Sequence, residues 1–236
     1  MGLPISVLAR GAAAGADAAQ EAVAAVYAEL VEVDARFSPY RDDSEVSRLA
    51  RGELRLVDCA ADVQDVAVRC ERFRELTGGV FDATRPDGRW DPSGLVKGWA
   101  VERAARHLSA VPDLDWCLNA GGDVVVVCPS GEPFNVGIQD PFESTRVAAV
   151  VACRAGAVAT SGTAARGEHL YDPRSGGAAV GSASVTVVGP SLEAADVLAT
   201  AAFVGGLDLV AVLPGYEALS IDRDGRQVTT PGWAAD

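Results

Sequence analysis

From Glu193 the chain reads EAADVLATAAFV, an apolar run that holds one further carboxylate, Asp196, and one hydroxyl, Thr200. The run from Leu192 to Val204 has the character of a helix, with Ser191 as its N-cap after Pro190. On a helix, positions i and i+4 share a face, one turn apart. An Asp in such surroundings loses hydration and needs a compensating partner. No Lys, Arg or His occurs between Glu193 and Arg223, so that partner is not local. Either a distant basic residue approaches, or a hard cation sits there, held by oxygen ligands. A plainer account stands beside both. Asp196 lies near the start of the helix, where the macrodipole favours an anion, and Thr200 can bond back to the Asp196 carbonyl.

At 236 residues the chain is long enough to bury a sizeable core. Area scaling puts roughly 70% of the unfolded surface inside. A net charge of -13 argues against a nucleic-acid role, and no polybasic membrane patch appears. The cysteines, Cys59, Cys70, Cys117, Cys128 and Cys153, form no CxxC pair and are odd in number. Free, mostly buried thiols in a reducing compartment follow. Residues 1–7 do not read as a signal peptide, and no apolar run approaches the ~18 residues of a membrane span. The expectation is a cytoplasmic protein with no membrane segment.

Periodicity predicts a helix over 11–36, with Val23, Val26, Tyr27, Leu30 and Val33 near helical spacing. FSPYRDDSEVSR (37–48) breaks that pattern as a polar loop leading to a short helix. A second amphipathic helix covers 63–77 and is stopped by Gly78-Gly79. Residues 80–98, dense in Gly, Pro, Asp and Trp, have little regular period, and a helix resumes over 99–108. Strands are expected at 123–128, entered by Asn119-Ala-Gly-Gly, and at 134–138, 147–153 and 184–188. Residues 217–222 read as a last strand, turned by Asp224-Gly225. With no repeat or linker in view, the prediction is one α+β domain over 1–236, a mostly antiparallel sheet flanked by helices.

Several segments carry polar or glycine residues beyond what a fold needs. In Gly79-Val-Phe-Asp82-Ala-Thr84, Asp82 suits an Asx-turn or a ligand contact. In Asp91-Pro-Ser-Gly94-Leu-Val-Lys97-Gly98, the glycines allow close backbone approach, an exposed carbonyl can ligate a metal, and the lysine suits an anion. Walker A spacing is absent. Ala159-Thr-Ser-Gly162 precedes His169-Leu-Tyr-Asp172-Pro-Arg174. Of the two histidines, His107 sits in a helical stretch and reads as structural or solvent-facing. His169, in a polar loop, suits either a general acid–base or a carbonyl-capping residue.

Taken in order, these segments resemble the FAD:protein FMN transferase (ApbE) family. The resemblance also draws on Met1-Gly-Leu-Pro4, Phe37-Ser-Pro-Tyr40-Arg-Asp-Asp-Ser44, Asn119-Ala-Gly-Gly122-Asp123 and Ala195-Asp196-Val-Leu-Ala-Thr200, and so spans nearly the whole chain. It implies an ApbE-like fold that binds FAD with Mg²⁺. It also implies transfer of the FMN moiety to a Thr or Ser hydroxyl of an acceptor flavoprotein, with release of AMP. By the same resemblance, Asp196 and Thr200 match side-chain Mg²⁺ ligands, and Gly94 the position whose carbonyl completes the protein ligation. Met1, Tyr40, Val80, Phe81, Asp82, Asp91, Lys97 and the Leu170–Tyr171 segment match FAD contacts, with Tyr40 and Phe81 suited to stacking on or packing against flavin or adenine rings. His169 matches the residue that deprotonates the acceptor hydroxyl.

The sequence departs from the family pattern in places. The 84–90 stretch is short where many members carry a longer insertion, which implies a reduced rim to the FAD site. No export signal or lipid-anchor cysteine is seen, and Glu102 stands where Asp is common. Two competing readings share the same residues: an FAD pyrophosphatase yielding FMN and AMP, and a flavin-binding protein without turnover.

Overall fold

The computed structural model describes residues 2–162, 173 and 182–233. Short β-branched runs pair into an antiparallel sheet. Its strands are β1 (Ile5–Arg10), β2 (Asp115–Ala120), β3 (Asp123–Val127), β6 (Ala155–Gly162), β7 (Ser182–Gly189), β8 (Glu217–Asp222) and β9 (Gln227–Thr229), in the order β1-β2-β3-β6-β7-β8-β9. Between β3 and β6 the chain leaves the sheet as a two-stranded ribbon, β4 (Phe134–Gln139) with β5 (Val147–Cys153). The ribbon covers one face of the sheet. Phe134 and Cys153 pack with Val124 and Val126, and Ile138 and Val151 with Leu219 and Ile221.

Helices cover the other face: α1 (Asp17–Phe37), α2 (Glu45–Ala50), α3 (Ala61–Leu76), α4 (Ser93–Ser109) and α5 (Leu192–Gly205). In α1 the stripe Ala19, Ala22, Val26, Leu30, Val33 and Phe37 is buried at helical spacing. Tyr27 falls at its edge, and its hydroxyl donates to the Ile5 carbonyl at 3.1 Å. α5 is the innermost helix, packed against α4 on one side and β6 and β7 on the other. Its alanines let both neighbours close in, and Ala195, Val197, Leu198, Ala199 and Ala201 are wholly buried. Its N-terminus is capped twice. Ser191 Oγ accepts the Ala194 N–H, and Glu102 of α4 accepts the Ser191 hydroxyl at 2.8 Å and the Glu193 N–H at 3.1 Å.

Four expectations need correction. The first helix begins at Asp17, because Gly11, at φ 93°, introduces a 3-10 turn over Ala12–Gly15. α4 begins at Ser93, six residues before the expected Trp99, so Gly94, Lys97 and Gly98 lie on a helix and not in a loop. The Asp91 carboxylate starts it by accepting the Ser93 N–H at 3.1 Å. Its glycines hid the helical pattern, but both serve packing: a Cβ on Gly98 would lie 2.7 Å from the Leu192 carbonyl oxygen, and one on Gly94 3.1 Å from the Phe81 ring. Residues 217–222 are not the last strand, since Asp224-Gly225 turns the chain into β9. Finally, β1, β2 and β6 were not anticipated; their small or mixed residues alternate too weakly to read.

Candidate active site

A cleft of about 460 Å³ opens at the ends of β6 and β7. Its walls come from distant parts of the chain: Ser38–Tyr40 after α1, the first turns of α4, the Gly121-Gly122 turn, and Gly137–Pro141 of the ribbon. Gly121 (φ 65°) and Gly122 (φ 101°) form the tight turn that pairs Ala120 with Asp123. Lys97, Asp196 and Thr200 line the cleft together with Gly94. The structure thus brings the three expected metal-ligating residues and the expected lysine into one place.

The distant basic partner of Asp196 is Lys97, whose Nζ lies 3.1 Å from Asp196 Oδ1. The same ammonium forms an ion pair with Asp123, at the start of β3. Asp123 is 1% exposed, and its Oδ1 accepts the Thr160 N–H at 3.0 Å. Close passage of α4 over the N-terminus of α5 at Gly98 makes this meeting possible. Thr200 Oγ1 bonds Ser161 Oγ of β6 at 2.9 Å, so this hydroxyl is tied to the sheet.

With all three ionised the charges sum to −1; both carboxylates are nearly wholly buried, and the Lys97 side chain is 21% exposed at the cleft. Burial raises the Asp196 carboxyl well above the usual carboxylate range, Lys97 opposes that rise, and Asp123 adds to it. Burial works against the Lys97 ammonium too, but Asp196 and then Asp123 outweigh it and raise its pKa. Lys97 therefore stays charged between the two carboxylates. Among the described residues Asp196 Oδ2 has no hydrogen-bond partner. Among them, too, no three His, Cys, Asp or Glu side chains gather where they could hold a metal. One carboxylate oxygen and one hydroxyl, with the Gly94 backbone in the cleft wall, make a sparse, hard oxygen set. Such a set fits Mg²⁺, which keeps most of its positions for water and phosphate.

The other expected residues divide. Tyr40 stands at the rim, 95% exposed. Asp91 accepts the Ser93 N–H at the entry to α4 and pairs with Arg85 at 3.2 Å. Asp82 makes an Asx-turn to the Thr84 N–H at 2.7 Å, and Thr84 bridges to Trp90 across the short 84–90 stretch. Val80 and Phe81 are buried and do not line the cleft. The Phe81 ring meets Phe73 edge-on with centroids 6.5 Å apart, so it fills the core beneath Gly94 where ring stacking had been expected. Met1, His169, Leu170 and Tyr171 lie outside the described residues. His107 pairs with Glu29 at 2.7 Å, a structural role. From sequence, Asp123 enters only as the last residue of the Asn119–Asp123 motif, with no role assigned. Its signal was a carboxylate opening an all-valine buried strand, which demands a partner as Asp196 does.

Comparison with known proteins extends this picture. The ApbE family model matches residues 1–87 and 84–219, two stretches that meet at the tight 84–90 turn. An FAD:protein FMN transferase of Rhodobacter capsulatus is 31% identical over 204 residues, covering 81% of this chain and 36% of that protein. Another, from Haemophilus influenzae, is 24% identical over 249 residues, covering 78% of this chain and 72% of that protein. The chain thus spans about a third of the length of the first relative and under three quarters of the second. Among solved structures, the ApbE protein of Thermotoga maritima superposes with a TM-score of 0.85 at 21% identity, over 98% of this chain and 94% of that one. The flavin transferase ApbE of Vibrio cholerae gives 0.77 at 20% identity, over 97% and 98%. These structural likenesses show the shared fold, and the matched sequence goes further: the chain belongs to the ApbE family.

Proposed function

We propose that this chain is a Mg²⁺-dependent FAD:protein FMN transferase, moving the FMN moiety of FAD to a Thr or Ser hydroxyl of an acceptor flavoprotein and releasing AMP. The observation that carries the proposal is the buried Asp196 oxygen left without a partner beside Lys97 and Thr200, in the cleft of an ApbE-family fold. A pyrophosphate is a dense negative charge, and a chain at -13 repels it unless charge is concentrated locally.

Asp196, Thr200 and the Gly94 carbonyl would hold the cation. When bound, Mg²⁺ supplies charge neutralisation at the pyrophosphate. With a cation held there, Thr200 would donate its proton to Ser161 and keep a lone pair for the ion; the 2.9 Å contact allows this. Lys97 spends donors on two carboxylates and, having three, keeps one for a phosphate oxygen. The acceptor hydroxyl oxygen forms the new bond to the FMN phosphorus, the bond from that phosphorus to the bridging oxygen breaks, and AMP leaves with the electron pair. His169, in the sequence between β6 and β7, is the proposed base for the hydroxyl proton.

Mass spectrometry of candidate acceptors incubated with the protein, FAD and Mg²⁺ tests the proposal. The expected product is an acceptor heavier by FMN, linked through a Thr or Ser. AMP release with no covalent flavin would replace transfer by FAD hydrolysis, and bound FAD that stays intact would leave a flavin-binding protein. Asp196→Ala is expected to lose Mg²⁺ binding and transfer together; full activity in that variant would remove Asp196 from the metal site.

A further inference from the structure

We propose that Asp123 is a positioning residue for the cation site, acting through Lys97. The inference rests on the Mg²⁺ reading above and gives a role to a carboxylate which that reading leaves unused. Asp123 does not line the cleft. One of its oxygens is anchored by the Thr160 N–H on the neighbouring strand, and its carboxylate grips the Lys97 ammonium. Lys97, held from behind, meets Asp196 at Oδ1, 3.1 Å away. Oδ2 stays without a hydrogen bond among the described residues. Were Asp123 uncharged, nothing would hold the ammonium back. It would move fully onto Asp196 and compete with a cation for both oxygens, and the buried charge of the trio would fall from −1 to zero.

A purely structural account is the alternative, since Asp123 also ties β3 to β6. Asp123→Asn separates the two, because the amide oxygen still accepts the Thr160 N–H while the charge is lost. Mg²⁺ affinity is read by calorimetry on the protein without FAD or acceptor, with melting temperature as the control. Asp123→Asn is expected to weaken Mg²⁺ binding about 10- to 100-fold, the usual effect of removing a group that orients a metal ligand. Adding Lys97→Met restores the trio's charge to −1 and is expected to recover most of that loss. A structural role predicts no such recovery. Unchanged affinity in Asp123→Asn, or a deeper loss in the double variant, overturns the proposal. A parent protein that binds no Mg²⁺ overturns it together with the metal reading. A parent that binds Mg²⁺ and shows the expected pattern but transfers no FMN sustains this proposal and overturns only the transferase.

Discussion

Single residues in this protein are governed by what burial does to polar and ionisable groups. Asp196 and Asp123 survive inside because one lysine meets both. Cys70 and Cys117 show the effect of burial with no cation to offset it. Burial pushes the Cys70 thiol from its ordinary 9.0 up to about 12, with Glu193 adding to the rise. It likewise pushes Cys117 to about 11. A thiol whose pKa is higher folded than unfolded contributes fully below pH 9. That contribution falls as pH rises from 9 towards 12, because the unfolded chain ionises first. Each pH unit in the window costs about 1.4 kcal/mol per such thiol. Stability measured by urea unfolding should therefore decline steeply above pH 9, and Cys70→Ala should make the decline shallower. An unchanged slope in that variant would mean that Cys70 is not shielded from water.

At the scale of elements, the contact between α4 and α5 controls the site. Gly98 puts bare backbone of α4 against the Leu192 carbonyl and the Glu193 Cα, at 2.7 and 2.9 Å from where a Cβ would sit. Neither atom can yield, since both belong to the backbone at the start of a capped helix. Gly98→Ala gains about 1 kcal/mol of helix propensity but incurs an overpacking strain of about 1–3 kcal/mol. The expected outcome is a net loss of up to about 2 kcal/mol, seen as a lower melting temperature. Mg²⁺ binding should weaken with it, because Lys97 is the adjacent residue. A variant as stable as the parent would show that the helices can separate freely. The same contact explains why the start of α4 was not legible: glycine lowers a helical signal, yet here its missing side chain is what lets the helices meet.

For the whole molecule, one hydrophobic cluster runs from α1 through α3, α4 and α5 to Ala157, Ala159, Val185, Val187 and Ala218 of the sheet. No element has a core of its own large enough to stand apart. Trp116, 1% exposed, and Trp99, 7% exposed, both report on this cluster. Tryptophan fluorescence and far-UV circular dichroism should follow the same urea transition. Two separated transitions would divide the chain into independent units. Among the described residues no helix is long and apolar enough to cross a membrane.

Much of this was open to reading in the sequence. The apolar stripe of α1, the Ser191 cap, the buried valine strand and the ordered motifs of the family all depend on residues near one another in the chain. Local sequence states local preference, so it put Asp196 and Thr200 on one face of an apolar helix and left open whether a distant base, a cation or the helix dipole meets the carboxylate. It did not determine which partner. Lys97 lies 99 positions earlier and Asp123 73 positions earlier than Asp196, on a different helix and on a strand. Their meeting depends on antiparallel pairing that sets β3 beside β6, and on a glycine that lets two helix backbones touch. The tertiary structure alone decided that Lys97 is shared by two carboxylates, that Phe81 turns into the core, and that among the described residues one oxygen of Asp196 has no hydrogen bond. The reason is physical: the charge state of a buried group is set by everything packed around it, and that surrounding is assembled only when the chain has folded.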